Sequence, residues 1–333
     1  MKIAILSDGG WGTALATVLT ANGHEVVMWG PFPDYLAEMA QTRENRRFLK
    51  GVRLPDTLRF EPDMAAVLAG CELAVLATPT QFLRGVLNTL RECRGESGLP
   101  LLVNVAKGIE ENSWLRISEM VYETLGGAVR YAVLSGPSHA EEVARGVPTA
   151  VVAASGISAD AELVQSAFMN PAFRVYTGTD VVGLELGGAL KNVIAIAAGI
   201  IDGMKLGDNP KAALMTRGIA EMSRLGEALG GAALTFSGLS GIGDLIVTCT
   251  SGHSRNRHVG EELGKGRQLD EILRDMGMVV AEGVRTSLGA WTLARRAGVK
   301  TPIIDEIHAV LYENRSARNA LRNLMARSGR SEF

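Results

Sequence analysis

Short apolar runs alternate with helical patterns along the first 182 residues of this 333-residue chain. The runs are apolar at nearly every position, whereas a strand with one solvated face would alternate apolar and polar residues. Apolar strands joined by crossover helices form parallel sheets that helices cover on both faces, and ligands bind at the carboxyl ends of the strands. The pattern therefore predicts an α/β fold with a first helix at residues 11–21 and strands at residues 2–6, 25–29, 73–77, 101–105, 131–134, 149–153 and 173–176.

Strand patterns stop after about Val182, and helical patterns continue from there. Residues 184–204 are apolar on nearly every face, which predicts a central buried helix rather than an amphipathic surface helix. The chain is thus predicted to have a Rossmann-type parallel sheet domain at residues 1–182 and an all-helical substrate domain at residues 183–333, with a cleft between them. Further helices are predicted at residues 211–229, 257–264, 269–276, 283–297 and 303–312.

Composition narrows the classes of partner. Lys and Arg number 34 against 36 Asp and Glu, a formal charge of −2, so we expect no nucleic-acid partner and only a local anion site. Three cysteines form no CxxC and no metal-like pairing with the five histidines, which favours a reducing compartment and predicts neither disulfides nor a metal site. The N-terminus lacks the apolar length of a signal peptide, and residues 193–201 are about half a membrane span, so we expect a cytoplasmic protein without membrane insertion.

A glycine-rich loop directly follows the first predicted strand. Ser7-Asp8-Gly9-Gly10-Trp11-Gly12 occupies the place where a dinucleotide-binding unit carries GxGxxG. Gly9 would let the backbone approach a pyrophosphate, Gly12 would let the helix pack closely on the strand, and the helix N-terminus would face the negative charge. Ser7 stands in place of the first glycine, so the strict pattern fails, and a glycine-rich turn without a ligand stays an alternative.

The end of the second predicted strand bears on the choice of cofactor. An acid here would hold the adenosine ribose hydroxyls, and an arginine would accept a 2′-phosphate. Neither is immediately present, since Asp34 is the nearest acid and Arg43 the next base. NADP lacks an evident phosphate partner, so we expect NAD, with NADP as the alternative.

Residues 241–257 combine polar and basic side chains more densely than a core segment needs. They include Asp244, Thr248 and the run Ser254-Arg255-Asn256. Arginine and backbone donors at a turn or helix start match phosphate geometry, which predicts a site for a small, highly polar anion. The alternative is a solvated loop followed by a helix that Ser254 caps.

Two lysines lie at positions that suggest a site. Lys191 falls in the middle of the apolar helix, where an unpaired ammonium would lose its hydration, so we expect it to face a wet or ligand-filled cleft. Lys107 follows the strand at residues 101–105, at the carboxyl edge of the sheet. Two lysines facing one cleft would repel each other and lower the pKa of at least one, and Asp244 could offset that repulsion. The alternatives are a Lys191 that reaches solvent along its helix and a Lys107 on an ordinary surface loop.

Seven segments carry a family resemblance through their order and spacing: residues 9–15 (GGWGTAL), 77–81 (ATPTQ), 106–110 (AKGIE), 134–140 (LSGPSHA), 189–192 (ALKN), 241–257 and 281–284 (AEGV). Together they resemble the NAD(P)-dependent glycerol-3-phosphate dehydrogenases of the bacterial, biosynthetic type, over almost the full chain. The resemblance implies hydride transfer between a nicotinamide cofactor and the pair dihydroxyacetone phosphate and sn-glycerol 3-phosphate, a reaction that supplies the backbone of glycerophospholipids.

The resemblance also implies roles for the matching residues. Lys191 would be the acid/base residue at the reacting oxygen, with Lys107 and Asp244 beside it. The substrate would contact Lys107 and Asp244 together with Gly136, Ser138, Asn192, Thr248, Ser254, Arg255 and Asn256, the last three at its phosphate. The cofactor would contact Lys107 and Arg255 together with Gly9, Gly10, Trp11, Gly12, Ala140, Val280 and Glu282.

Two departures from the family both concern the cofactor. The family has a glycine at Ser7 and usually an arginine at Pro31, so the changes bear on cofactor affinity and disfavour tight NADP binding. Two other functions stay open: a related two-domain dehydrogenase of a hydroxy acid or sugar acid, and a non-catalytic dinucleotide-binding sensor. A sensor has no use for an acid/base cluster. The apolar helical domain could support a homodimer.

Overall fold

The computed structural model describes residues 1–93, 98–278, 280–329 and 331–332. Every predicted strand begins at its predicted residue and ends within two residues of its predicted end; three short strands were not predicted. In chain order the strands are β1 (Lys2–Leu6), β2 (Glu25–Trp29), β3 (Glu44–Asn45), β4 (Leu49–Arg53), β5 (Arg59–Phe60), β6 (Leu73–Leu76), β7 (Leu101–Asn104), β8 (Tyr131–Ser135), β9 (Thr149–Ala154) and β10 (Phe173–Gly178).

The helices of the sheet domain cover both of its faces. They are α1 (Gly10–Ala21), α2 (Pro33–Thr42), α3 (Met64–Leu68), α4 (Thr80–Glu92), α5 (Ile117–Leu125), α6 (Ala140–Val143) and α7 (Ser158–Phe168). The later helices are α8 (Val181–Gly203), α9 (Asp208–Ala228), α10 (Ala233–Phe236), α11 (Asp244–Thr250), α12 (Arg255–Gly264), α13 (Leu269–Met276), α14 (Glu282–Arg296), α15 (Pro302–Tyr312) and α16 (Ala317–Met325), with a π-helical turn, Leu239–Gly243, before α11.

Eight strands form one sheet in the order β10-β9-β8-β7-β6-β1-β2-β5. The prediction of a parallel sheet is wrong at one edge, because β9 runs antiparallel to β8. Strand β10 pairs parallel to β9 and therefore also runs opposite to the rest of the sheet. Parallel neighbours need a crossover connection, usually a helix that covers one face of the sheet. Only the four-residue α6 lies between β8 and β9, and the chain returns antiparallel.

The glycine-rich loop lies at the carboxyl end of β1, where the strand order reverses. β1 pairs with β2 on one side and with β6 on the other. The connections on the two sides of β1 therefore leave the sheet in opposite directions, and a crevice opens outside the strand ends. This crevice is the place where an open α/β sheet binds its ligand.

The prediction of a central buried helix is confirmed by α8, which is buried at every residue from Gly183 to Ile201. Helices α9, α11, α12 and α14 pack around it. By length and composition alone, α8 and the stretch Ala233–Thr250 could cross a membrane, but α8 is enclosed by protein and the second stretch is broken into α10, the π-helical turn and α11. The predicted domain division after residue 182 falls in the first turn of α8 and stays a prediction.

Candidate active site

A cleft of about 240 Å³ opens between the carboxyl ends of β1, β6 and β7 and the helices α8, α12 and α14. It brings together most of the residues that the sequence singled out. Gly12, Gly136 and Asp244 are the exceptions, since each lies beneath the surface of the cleft. The predicted site residues that line it are Gly9, Gly10, Trp11, Lys107, Ser138, Ala140, Lys191, Asn192, Thr248, Ser254, Arg255, Asn256, Val280 and Glu282.

One carboxylate joins the two lysines on the floor of this cleft. Lys191 Nζ donates to Asp244 Oδ1 at 2.6 Å and to Thr248 Oγ1 at 2.7 Å. Lys107 Nζ donates to Asp244 Oδ2 at 2.5 Å and to the carbonyl oxygen of Gly136 at 2.9 Å. Lys191 is 6% exposed and Asp244 1% exposed. The Lys191 ammonium therefore does not reach bulk solvent along its helix, and Lys107 is not on an ordinary surface loop.

The electrostatics of this cluster poise Lys191 for proton transfer. Burial lowers the pKa of Lys191 to about 8; Asp244 opposes the shift and the like charge of Lys107 adds to it. Burial on its own would raise the pKa of Asp244, but the two lysines hold it below its usual value. An ammonium with a pKa near 8 is charged at neutral pH and gives up its proton readily, as a general acid requires.

Two asparagines tie three helices together at the cleft wall. Asn256 Nδ2 donates to Asn192 Oδ1 at 2.9 Å, and Asn256 Oδ1 accepts the backbone N–H of Gly283 at 2.9 Å. These bonds connect α8, α12 and α14. On the opposite wall, Ser138 Oγ donates to the carbonyl oxygen of Gly136, the same oxygen that Lys107 contacts.

The N-terminus of α12 faces the cleft with a free guanidinium. Ser254 caps the helix, its Oγ accepting the backbone N–H of Arg257 at 3.2 Å, so the capped helix that was considered as an alternative is present. Arg257 turns away and donates to Asp202 at 2.7 Å. Arg255 is exposed and has no ion pair within the described residues. A helix N-terminus next to an arginine suits an anion, so the cap is compatible with the predicted site, which stays a prediction.

The glycine-rich loop keeps its shape without the first glycine. Ser7 does not adopt a left-handed φ, and its Oγ accepts the backbone N–H of Gly9 at 3.0 Å. A Cβ on Gly12 would lie 3.1 Å from the carbonyl oxygen of Ser7, so Gly12 permits the close packing of α1 on β1. A Cβ on Gly10 would overlap the carbonyl oxygen of Phe48. Gly10 and Gly12 thus stand at positions that have little or no room for a Cβ.

Three buried polar atoms without a hydrogen-bond partner belong to the cleft. They are Trp11 Nε1, His139 Nε2 and Glu282 Oε2. Buried polar atoms are nearly always paired, so such a group of atoms indicates a ligand position. Burial raises the pKa of Glu282 to about 7, and its Oε1 accepts the backbone N–H of Thr80, the first residue of α4.

The lining residues that sequence reasoning missed include His139, Thr78 and Pro79. All three lie within segments that carry the family resemblance, but a lone histidine and a turn have no spacing signal of their own. Burial, together with the charge of Lys191, lowers the pKa of His139, so its imidazole is neutral near physiological pH.

A second cavity, of about 300 Å³, lies among α8, α9, α15 and α16 and is lined mainly by aliphatic side chains. Glu221 on its wall accepts the backbone N–H groups of Ile303 at 2.9 Å and Ile304 at 3.3 Å, and burial raises the pKa of this carboxyl to about 7. Glu221 is committed to the start of α15. The described lining of this cavity has no lysine, so it does not repeat the pair of lysines that the cleft holds.

Comparisons with known proteins point to one family. The N-terminal model of NAD-dependent glycerol-3-phosphate dehydrogenase matches residues 2–161, and the C-terminal model matches residues 180–322. A Geobacillus kaustophilus protein named glycerol-3-phosphate dehydrogenase (NAD(P)+) is 51% identical over 335 residues, which cover 100% of this chain and 96% of that protein. A protein of the same name from Pelodictyon phaeoclathratiforme is 49% identical over 334 residues, or 100% and 99% of the two chains. The crystal structure of glycerol-3-phosphate dehydrogenase from Coxiella burnetii superposes with a TM-score of 0.93 at 37% identity, covering 98% of each chain.

Proposed function

Because the chain belongs to the NAD-dependent glycerol-3-phosphate dehydrogenase family, we propose that it interconverts dihydroxyacetone phosphate and sn-glycerol 3-phosphate with NAD(P). This oxidoreductase reaction supplies the backbone of glycerophospholipids. The observation that carries the proposal is one cleft that holds both the buried ammonium of Lys191 and the unpaired guanidinium of Arg255. The first suits a reacting oxygen and the second a phosphate.

The residues beyond β1 fit a dinucleotide. The first backbone N–H groups of α1 have no acceptor inside the helix. They and the positive end of the helix dipole face the position of the diphosphate. Trp11 and Glu282 line the cleft, and the buried Nε1 of Trp11 and Oε2 of Glu282 lack hydrogen-bond partners that this ligand would supply. Once bound, the cofactor supplies or accepts the hydride. We assign its binding to Gly9, Gly10, Trp11, Gly12, Lys107, Ala140, Arg255, Val280 and Glu282.

In the proposed binding mode, one part of the cleft holds the substrate phosphate and another part contacts the reacting carbonyl. Arg255 holds the phosphate with Ser254 and Asn256 at the N-terminus of α12. Binding energy from this anchor, remote from the carbonyl, orients the reacting carbon. The remaining substrate contacts are assigned to Lys107, Ser138, Asn192 and Thr248. Gly136 and Asp244, which lie beneath the cleft surface, hold Lys107 at the substrate.

Lys191 is the acid/base residue in this assignment. When a hydride reaches the carbonyl carbon, negative charge develops on the oxygen, and Lys191 Nζ stabilises that charge and donates the proton. Lys107 adds positive potential. Asp244 and Thr248 fix the direction of Nζ by accepting its other N–H bonds. In the reverse direction, neutral Lys191 removes the proton of the alcohol.

A turnover assay separates this function from its alternatives. Loss of NADH or NADPH absorbance is followed with dihydroxyacetone phosphate and, separately, with oxo acids. Turnover of the phosphorylated ketone alone supports the proposal. Turnover of oxo acids alone would favour the hydroxy-acid dehydrogenase, which the full-length relatives do not support. Calorimetric cofactor binding without any turnover would identify a sensor.

The cellular compartment and the oligomeric state of the protein are also proposals. Three free cysteines, Cys71, Cys93 and Cys249, suit a reducing cytoplasm. A homodimer formed through the helical half is supported by apolar side chains left in water there, with Leu234 85% exposed and Met325 78% exposed. Light scattering during size exclusion distinguishes a dimer from a monomer.

A further inference from the structure

Asp8 places a largely buried carboxylate inside the glycine-rich loop. It is 6% exposed, and its Oδ2 is buried without a hydrogen-bond partner. A buried carboxylate oxygen without a hydrogen-bond partner loses hydration that no bond replaces, which is rare in folded proteins unless a ligand completes the site. The glycine motif does not require an acid here, and the acid/base cluster of the cleft does not use it.

The carboxylate of Asp8 occupies the space beyond the end of β2. Strands β1 and β2 pair in register up to Leu6 and Trp29, so the loops that follow them leave the sheet at the same level. A Cβ placed on Gly30 would lie 2.8 Å from Asp8 Oδ2. The Asp8 side chain therefore occupies space that is available only because Gly30 has no Cβ. Asp8 is not among the residues that line the cleft with Gly10, and its Oδ2 lies against Gly30 at the end of β2.

In dinucleotide-binding sheets, an acid at the end of the second strand accepts the hydroxyls of the adenosine ribose. The second strand of this chain ends in Trp29-Gly30-Pro31-Phe32, without an acid. We propose that Asp8 supplies this carboxylate from the first loop, so that it binds the ribose diol of NAD and rejects the 2′-phosphate of NADP. The inference rests on the proposed function in that the cofactor is a nicotinamide dinucleotide.

The backbone of Asp8 is held in place by a buried amide. Asn45 Nδ2 donates to the carbonyl oxygen of Asp8 at 2.8 Å and to Thr13 Oγ1 at 2.7 Å, and Asn45 is 0% exposed. Asn45 thereby links the start of the β3–β4 hairpin to the first loop and to α1. A loop whose backbone is already held loses little conformational freedom when its side chain accepts a ligand.

Nearby charged groups do not replace Asp8 in this role. Asp34 is exposed in the first turn of α2. Arg43 is already bound, since its guanidinium donates to the carbonyl oxygen of Leu58 at 2.7 Å. Arg47 competes with Asp8 for the same end of the cofactor, because its charge acts on Asp8. Its guanidinium stacks on the Tyr35 ring at 4.0 Å. An Arg47 that bound a 2′-phosphate would give the opposite preference.

The test is cofactor binding to the full chain without substrate. Calorimetric titrations with NADH and with NADPH compare wild type, Asp8→Ala and the isosteric Asp8→Asn, with Asp34→Asn as the matched control. We expect wild type to bind NADH more tightly than NADPH. A hydrogen bond to a charged group is worth about a 10-fold to 100-fold change in affinity, so Asp8→Ala should weaken NADH binding by that factor and NADPH binding by less. Asp34→Asn should leave both affinities unchanged.

Three results would overturn the inference while leaving the proposed function intact. They are a wild type that prefers NADPH, a preference that is unchanged in both Asp8 variants, and an Arg47→Ala variant that alone alters the ratio by weakening NADPH. Thermal melts establish that each variant is folded. A folded wild type that binds neither cofactor would instead contradict the proposed function itself.

Discussion

Lys191 is an ammonium group that α8 carries into the protein interior. Its position could be predicted from the sequence, because a lysine inside an apolar helix needs a partner or a wet cavity. Its partners could not be predicted in the same way. Asp244 and Thr248 lie one turn apart on α11, more than fifty positions along the chain, and only tertiary packing brings them to Nζ at 2.6 and 2.7 Å.

Removing the ammonium should impair the chemical step and leave substrate binding largely intact. Lys191→Ala is expected to lower kcat by about two to four orders of magnitude, the usual value of general acid catalysis. Arg255→Ala is the matched contrast, since it should mainly raise KM for dihydroxyacetone phosphate. Steady-state kinetics on both variants measure this split. Near-normal kcat in Lys191→Ala would show that another group is the acid.

The low pKa of Lys191 gives the two reaction directions opposite pH dependences. Reduction of the ketone needs the ammonium, so kcat/KM in this direction should fall as pH rises through about 8. Oxidation of the alcohol needs the neutral amine and should rise over the same interval. Burial is the main cause of the low pKa and Lys107 contributes to it, so Lys107→Gln should move both limbs to higher pH. Profiles of kcat/KM against pH, measured in both directions for wild type and Lys107→Gln, test this expectation. An unchanged midpoint in the variant would exclude electrostatic coupling between Lys107 and Lys191.

Helices α8 and α12 cross at backbone contact. Gly199 and Gly203 of α8 face the carbonyl oxygens of α12, and Gly260 and Gly264 of α12 face those of α8. A Cβ at Gly199, Gly203 or Gly260 would overlap a carbonyl oxygen of the facing helix. Helix α12 begins with Arg255 and α8 carries Lys191, so this crossing sets the distance between the two side chains that we propose as phosphate anchor and general acid.

A methyl group at this crossing should separate the two helices. Gly199→Ala is expected to destabilise the protein by about 1–3 kcal/mol through overpacking, and to raise KM for the phosphorylated substrate as α12 moves. Gly85→Ala is the matched control, because Gly85 is an exposed position within α4 and has open space around its Cβ position. That change should be neutral or stabilising. Urea unfolding and steady-state kinetics measure both effects; equal stabilities for the two variants would rule out a tight crossing.

The elements could be predicted to different degrees for physical reasons. Strands β1 and β2 have continuous apolar runs bounded by turns, so their bounds were predicted from the sequence. The direction of β9 depends on what the connection before it covers, which local periodicity does not record. Helix α11 is only seven residues long, and its polar residues serve the cleft, so their pattern resembled a loop.

The two halves of the molecule are joined at Glu185, in the second turn of α8. Its carboxylate accepts from the Arg116 guanidinium at 2.7 Å, from the backbone N–H and Oγ of Ser118 at 2.7 Å each, and from Tyr131 Oη at 2.6 Å. These partners lie at the start of α5 and on β8 of the sheet domain. Burial raises the pKa of Glu185 although all of these contacts oppose it. Glu185 thus connects the sheet domain to the helix that carries Lys191, in addition to the contacts of Asp244 with Lys107 and of Glu282 with Thr80.

Removing the Glu185 carboxylate should therefore test how strongly the sheet domain and the helical half are held together. Glu185→Ala leaves the buried hydroxyl of Tyr131 without its acceptor and takes from Arg116 one of its two carboxylate partners, Glu119 being the other. Breaking a buried ion pair in this way costs about 3–5 kcal/mol. The denaturant midpoint should fall accordingly. Asp56→Ala is the control, since the Arg53–Asp56 pair has side chains 78% and 74% exposed and is worth about 0–1 kcal/mol. Because α8 is anchored to the sheet six positions before Lys191, kcat should also fall under conditions where the variant is folded. An unfolding midpoint equal to that of Asp56→Ala would show that the two halves are held together by other contacts.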